Sequence, residues 1–201
     1  ELMEVIQRAD LPSPCSTPVL FERDRVVAPV ARGATVFAVG LNYRDHAAET
    51  GRECPDPPPV FTKLPLSIAP PFGRTPHPGY SDTLDYEGEL AVVIGRAGRD
   101  IGAAQAMDHV FGYTVLNDLT IRALAKPDTL LLGKNGPGLA PIGPWIVPAA
   151  AVPDPHGLTI RTWVNGERRQ DGGTNDMHHR IPDLIAFLSR SVPLRPGDII
   201  S

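Results

Sequence analysis

Leu84-Asp85-Tyr86-Glu87-Gly88-Glu89-Leu90-Ala91-Val92-Val93-Ile94-Gly95 is the stretch on which the reading of this chain turns. The run is apolar and rich in Val and Ile, and it predicts one β-strand over residues 84–95. On such a strand Glu87 and Glu89 stand two apart, so their side chains leave on the same face. Two carboxylates crowded together repel unless a cation, a proton or an arginine compensates them. Carboxylate oxygens are the ligands that suit Mg2+, Mn2+ or Ca2+. Taken alone, an E-x-E pair is more often one with a Glu solvated on an outer face.

Working outward, a second apolar run over residues 110–116 predicts another strand, and Asp118 follows its end. Strand ends and the loops after them often present site residues. Asp118 also precedes a segment, 119–125, that reads as a helix, so a capping role is the plainer alternative. On the other side, Thr35-Val36-Phe37-Ala38-Val39-Gly40 reads as a buried strand, followed by a short helix over 43–50 with Asn42 as N-cap and Gly51 as stop. His46 and Glu49 lie three apart on that helix and share a face, where a carboxylate can orient an imidazole. Such a pair is the base half of a water-activating device, or simply a surface hydrogen bond.

The remaining chain predicts strands at 60–63, 145–147, 158–164 and 199–200, and helices at 105–108 and 183–190. Asn165-Gly166 signals a type I′ hairpin. Residues 1–10 read as a helical turn or two, 11–18 as a Pro-rich connector, 64–80 as irregular wrapping, and 52–59 as a surface connection, with a lid over a site as the alternative. His178 and His179 fit a surface turn, and Trp145 and Trp163 fit core packing. His77, His109 and His156 have no metal-ligand spacing.

The composition narrows the class. The 23 prolines in 201 residues are about twice the ordinary share, and they disfavour a helical bundle because Pro interrupts helices and ladders alike. A β-rich fold with many turns follows. The net charge of −4 leaves no basic footprint for nucleic acid. No apolar run approaches the roughly 18 to 20 residues of a membrane span, so a cytoplasmic protein with neither nucleic-acid nor membrane partners is expected. Cys15 and Cys54 are read as free thiols.

Several blocks, in order, resemble the fumarylacetoacetate hydrolase family. Gly40-Leu41-Asn42-Tyr43-Arg44-Asp45-His46 is similar to its G-x-N-Y-x-D-H segment, residues 85–95 to its metal strand, and Gly112-Tyr113-Thr114-Val115-Leu116-Asn117-Asp118-Leu119-Thr120 to the strand that ends in a third carboxylate. Gly133-Lys134, Pro141-Ile142-Gly143-Pro144, Val164-Asn165-Gly166-Glu167 and Pro196-Gly197-Asp198-Ile199-Ile200 complete the set. The resemblance implies an α+β, β-rich fold, the mixed β-sandwich roll of that family's C-terminal domain. It implies Glu87, Glu89 and Asp118 as ligands of Mg2+ or Mn2+, with Ca2+ able to substitute. It further implies His46 as general base, Glu49 as its orienting partner and Lys134 beside the substrate or an oxyanion. Residues 1–34 are then an N-terminal extension and 35–201 the catalytic domain, whose family pattern continues past Ser201 into a Thr-Gly-Thr-Pro segment.

The implied activity is metal-dependent hydrolysis of a C–C bond in an acylpyruvate or 1,3-diketo acid, with a homodimer as the expected assembly. Decarboxylation of oxaloacetate-like acids, lyase, hydratase and isomerase chemistry use the same carboxylates and stand as alternatives, as does a degenerate relative without activity. Two departures bear on this choice. Asn135-Gly136-Pro137-Gly138-Leu139 replaces a Phe-Asp-Thr-like stretch, and Ile121-Arg122-Ala123-Leu124-Ala125 lacks the Asp and Gln of the family's A-R-D-x-Q run.

Overall fold

The computed structural model of the chain describes residues 21–31 and 33–201. The expected N-terminal helical turn, the connector at 11–18 and Cys15 lie outside the described residues. Eleven strands are described in chain order: β1 (Val36–Val39), β2 (Val60–Lys63), β3 (Ile68–Ala69), β4 (Leu84–Asp85), β5 (Gly88–Ile94), β6 (Val110–Asn117), β7 (Thr120–Ile121), β8 (Ala140–Pro148), β9 (Thr159–Val164), β10 (Glu167–Gly173) and β11 (Ile199–Ile200). Three α-helices accompany them: α1 (Arg44–Glu49), α2 (Leu130–Lys134) and α3 (Ile181–Ser191). The fold is α+β and rich in β, as the sequence predicts.

Seven strands form a mixed sheet in the order β2-β1-β11-β5-β6-β8-β3, with β9-β10 and β4-β7 as separate two-stranded pieces. The sheet is mixed because β11 enters it parallel to β1 and antiparallel to β5. Asp198, just ahead of β11, is buried and accepts hydrogen bonds from the Thr35 and Arg195 backbone N–H groups. The Pro-Gly-Asp turn therefore docks the last strand into the sheet centre.

Alternation along the strands divides the core. Phe37, Val39, Val92, Ile94, Tyr113 and Ile200 pack on one face against Ile181, Leu184, Ile185 and Leu188 of α3. Those four helical positions follow the i, i+3, i+4, i+7 spacing of an apolar stripe. Val36, Ala91, Val93, Leu116, Ile142 and Ile199 fill the other face. Asn165 and Gly166 have φ of 53° and 82°, so the β9-β10 turn is the type I′ hairpin expected.

Several local expectations give way to tertiary contacts. The strand predicted over 84–95 breaks at Tyr86 and Glu87, because β4 leaves to pair with β7. The helix predicted over 119–125 is β7 followed by a 3-10 turn, Arg122–Leu124. Its backbone is claimed by β4, and the Thr120 hydroxyl donates to the Asp118 carbonyl. The helix expected at 105–108 is a 3-10 segment, Ala103–His109. The strand expected at 145–147 belongs to the nine-residue β8, whose ladder with β6 shifts register between Tyr113 and Val115 opposite the segment containing Pro144. Trp145 and Trp163 are 58% and 56% exposed, so neither packs in the core.

Candidate functional site

The break before β5 positions the first acid. The β5-β6 ladder pairs Gly88 with Asn117 and Glu89 with Leu116. It continues for one more rung, in which the Asp118 N–H donates to the Glu87 carbonyl at 2.7 Å. The Asn117 side chain accepts from the Glu87 N–H. Cross-strand pairing thus sets Asp118 opposite Glu87, with Glu89 beside them. Oxygen atoms from the three side chains all lie within 4.8 Å of one another. The shared strand face argued from the sequence is therefore only part of the reason they meet.

Gly88 between the two glutamates leaves room for the Thr162 and Gln170 side chains. A Cβ there would stand 2.6 Å from Thr162 Oγ1 and 3.0 Å from Gln170 Oε1. Gln170 accepts from the Gly88 N–H through Oε1 and donates to the Gly88 carbonyl through Nε2. The β9-β10 hairpin is thereby fastened to the acidic turn.

Three cations face the three acids. Lys134, at the end of α2, donates to Glu87 Oε2 and, at 2.7 Å, to Asp118 Oδ2. Lys63, at the end of β2, donates to Asp118 Oδ1 at 2.5 Å. Arg122 reaches Glu87 Oε1 at 2.6 Å and Asp85 Oδ2 at 2.7 Å. Glu89 receives no such partner: its Oε2 is buried with no hydrogen bond among the described residues. Burial, then the charges of Asp118 and Glu87, push its carboxyl up to about 8. Burial pulls the Lys63 ammonium down, and Asp118 opposes that shift. The Tyr43 phenol is raised by burial and then by Glu89.

All of these groups except Lys63 line a cavity of about 600 Å³. His46 and Glu49 lie on its wall, with His46 Nδ1 3.8 Å from Glu49 Oε2 and the side chains 41% and 78% exposed. Asn42 is not the cap of α1. Its amide is spent on the backbone N–H and carbonyl of His179, and Tyr43 takes the cap position. Asp176 supplies the capping carboxylate from outside, accepting from the Asp45 N–H at 2.7 Å. The His179 ring is 2.8 Å from the Pro55 carbonyl, tying the 52–59 loop to the 177–179 segment.

Sequence reasoning named Glu87, Glu89, Asp118, Lys134, His46 and Glu49, and all six line this one cavity. It missed Lys63 and gave Arg122 no role. A lysine closing a four-residue apolar strand and an arginine four residues after an acid are weak signals until the carboxylates they meet are known.

An orphaned buried carboxylate oxygen within an all-oxygen donor set fits a hard divalent cation. Glu87, Glu89 and Asp118 are the residues that could hold one. The profile described as "Fumarylacetoacetate (FAA) hydrolase C-terminal" matches residues 35–201. The chain belongs to the fumarylacetoacetate hydrolase family.

Within that family it is 46% identical over 177 residues to the 4-hydroxyphenylacetate degradation bifunctional isomerase/decarboxylase of Salmonella dublin, covering 86% of this chain and 41% of that protein. It is 43% identical to oxaloacetate tautomerase YisK of Bacillus subtilis (strain 168), covering 87% of this chain and 60% of that protein. The solved fumarylacetoacetate hydrolase from psychrophilic Exiguobacterium antarcticum superposes with a TM-score of 0.86 at 39% identity, covering 99% of this chain and 73% of that one. The chain spans about two-fifths to three-fifths of the length of the curated relatives it matches. No described helix is long and apolar enough to cross a membrane.

Proposed function

We propose that this chain catalyses divalent-metal-dependent tautomerisation, isomerisation or decarboxylation of a small 2-oxo acid that carries a second carboxylate. The observation behind this reading is the convergence of Glu87, Glu89 and Asp118 within 4.8 Å, opposite Lys63, Lys134 and Arg122. Glu87, Glu89, Asp118 and Asp85 against Lys63, Lys134 and Arg122 leave one net negative charge when all are ionised. A divalent cation reverses that sign, and a buried site then favours an anionic ligand. A 2-oxo acid is one. Arg52, Lys126 and Arg169 line the same cavity and supply positive charge for its far carboxylate. The names of the Salmonella dublin and Bacillus subtilis relatives support the reaction class.

In this mechanism a Mg2+ or Mn2+ ion held by the three carboxylates would supply Lewis-acid polarisation of the substrate's 2-oxo group. Lys134 keeps a fixed positive charge where negative charge develops on oxygen. His46 takes a proton from the carbon next to the carbonyl and returns it at the new position, and Glu49 keeps the ring turned for that transfer.

Hydrolytic C–C cleavage of an acylpyruvate is the second reading, favoured by the likeness to the Exiguobacterium antarcticum hydrolase and by a histidine placed to activate water. Turnover of oxaloacetate, followed as enol absorbance and CO2 release, beside loss of acylpyruvate, with Mg2+ or Mn2+ and with EDTA, decides between them. Metal-dependent enol–keto exchange or decarboxylation is the expected result. Acylpyruvate cleavage alone would replace the first reading with the second, and no turnover of either would favour a degenerate relative.

A further inference from the structure

We infer that Lys63 is a positioning residue that fixes the Asp118 carboxylate in the candidate metal site and holds the Lys134 backbone in register with it. This inference rests on the metal reading above and adds a residue to it. The Lys63 side chain is 0% exposed and its partner carboxylate 1%. An ammonium in that position is costly unless every proton is used. Lysine has three donors, and Nζ has three acceptors: Asp118 Oδ1 at 2.5 Å, the Leu139 carbonyl at 3.2 Å and the Lys134 carbonyl. Its donor capacity is full, and it does not line the cavity.

Both oxygens of Asp118 are engaged, Oδ1 by the buried Lys63 and Oδ2 by Lys134 at 2.7 Å. Of the two lysines only Lys134 lines the cavity, so Lys63 holds the carboxylate from behind. The same ammonium joins three separate parts of the chain: the end of β2, the residue after β6 and the segment that links α2 to β8. Asn135 doubles the connection, accepting from the Leu64 N–H at 2.5 Å and donating to the Thr62 carbonyl at 3.1 Å.

This arrangement also accounts for the unusual Asn135-Gly136-Pro137-Gly138-Leu139 stretch. Gly138 adopts a φ of 73°, a left-handed conformation that costs glycine little. The turn brings the Leu139 carbonyl back onto Lys63. The segment after Lys134 thus serves as a backbone receptor for a buried cation.

The test is Mn2+ affinity, measured by titration calorimetry or by the electron paramagnetic resonance signal of free Mn2+, in the wild type, Lys63→Met, Asp118→Asn and the double variant. Partners behind metal ligands typically contribute about 10- to 100-fold in affinity. Lys63→Met in the wild-type background should weaken Mn2+ binding by that factor, with circular dichroism unchanged. In the Asp118→Asn background the same substitution should change affinity by less than about threefold, because residues acting through one group are not additive. Lys63→Gln, which keeps a donor but no charge, carries the cycle if Lys63→Met does not fold. Equal losses in both backgrounds, or a folded Lys63 variant that binds Mn2+ like the wild type, overturn the inference. A wild type that binds no Mn2+ overturns the metal reading itself, whatever the variants do.

Discussion

Asp118 stands directly opposite Glu87 across the extended β5-β6 ladder, its N–H bonded to the Glu87 carbonyl at 2.7 Å. Backbone pairing therefore sets the spacing of the acids, and their side chains need no mutual attraction to hold it. Removing either glutamate should leave the fold intact, and Asp118→Asn keeps an acceptor for the buried Lys63. Glu87→Ala, Glu89→Ala and Asp118→Asn should each lower metal-dependent turnover by at least about 100-fold, in the range of losing a major transition-state interaction. Circular dichroism should remain that of the wild type. Undiminished wild-type turnover in excess EDTA would show that the cluster holds no catalytic metal.

The Glu89 carboxyl, raised from 4.5 to about 8 by burial and then by Asp118 and Glu87, gives the metal-free protein a pH dependence. The folded state keeps this proton to higher pH than the unfolded chain. Its contribution to stability is therefore fully present below about pH 4.5 and is lost as pH rises through about 8. A divalent cation stabilises the ionised form, so the Mg2+-induced rise in Tm should be larger at pH 8.5 than at pH 6. Calorimetry in buffers of different ionisation enthalpy should detect proton release on binding. An identical rise in Tm at both pH values, with no proton release, would count against this role for Glu89.

His46 and Glu49 share a face of α1 on the cavity wall. If they move a proton as one unit, His46→Ala and Glu49→Ala should each depress kcat while leaving Mn2+ affinity within about twofold. The double variant should lose little more than His46→Ala alone. Fully additive losses in the kinetic cycle would place the base elsewhere.

Gly88→Ala should be damaging although it adds a single methyl. The new Cβ meets Thr162 Oγ1 and Gln170 Oε1 and opposes the paired Gln170 hydrogen bonds. Overpacking of this kind costs about 1–3 kcal/mol, which a urea melt would register. Mn2+ affinity should fall as well, because Glu87 and Glu89 flank the displaced backbone. A variant as stable as wild type with unchanged affinity would show that the hairpin merely rests on the acidic turn.

Phe21, Phe72 and Trp145 form edge-to-face contacts on the surface and are all exposed. Exposed aromatic surface of this kind marks association sites, and we expect a homodimer that uses it. Sedimentation at micromolar concentration should give twice the 21.6 kDa chain mass, and Trp145→Asp should shift the equilibrium to monomer. A wild type that sediments as a monomer would remove the dimer, and a Trp145→Asp dimer would move the interface elsewhere.

The sequence by itself determined the β-rich class, the type I′ turn at Asn165-Gly166, a helix at 183–190 and six of the residues that line the cavity. These rest on period-two and period-3.6 patterns, on glycine conformational preference and on motif order, all of them local in the chain. Tertiary structure decided what depends on a distant partner. Residues 119–125 have the composition of a helix, but Thr120 and Ile121 are held extended by β4 and only a 3-10 turn, Arg122–Leu124, follows. Asn42 has the chemistry of a cap but is drawn to the His179 backbone 137 positions away, while Asp176 caps α1 from 131 positions away. Lys63 is indistinguishable in sequence from a solvated strand end. It becomes part of the site only because the Asp118 carboxylate and the Lys134 and Leu139 carbonyls fold around it, since a buried ammonium is tolerated only where its donors are met.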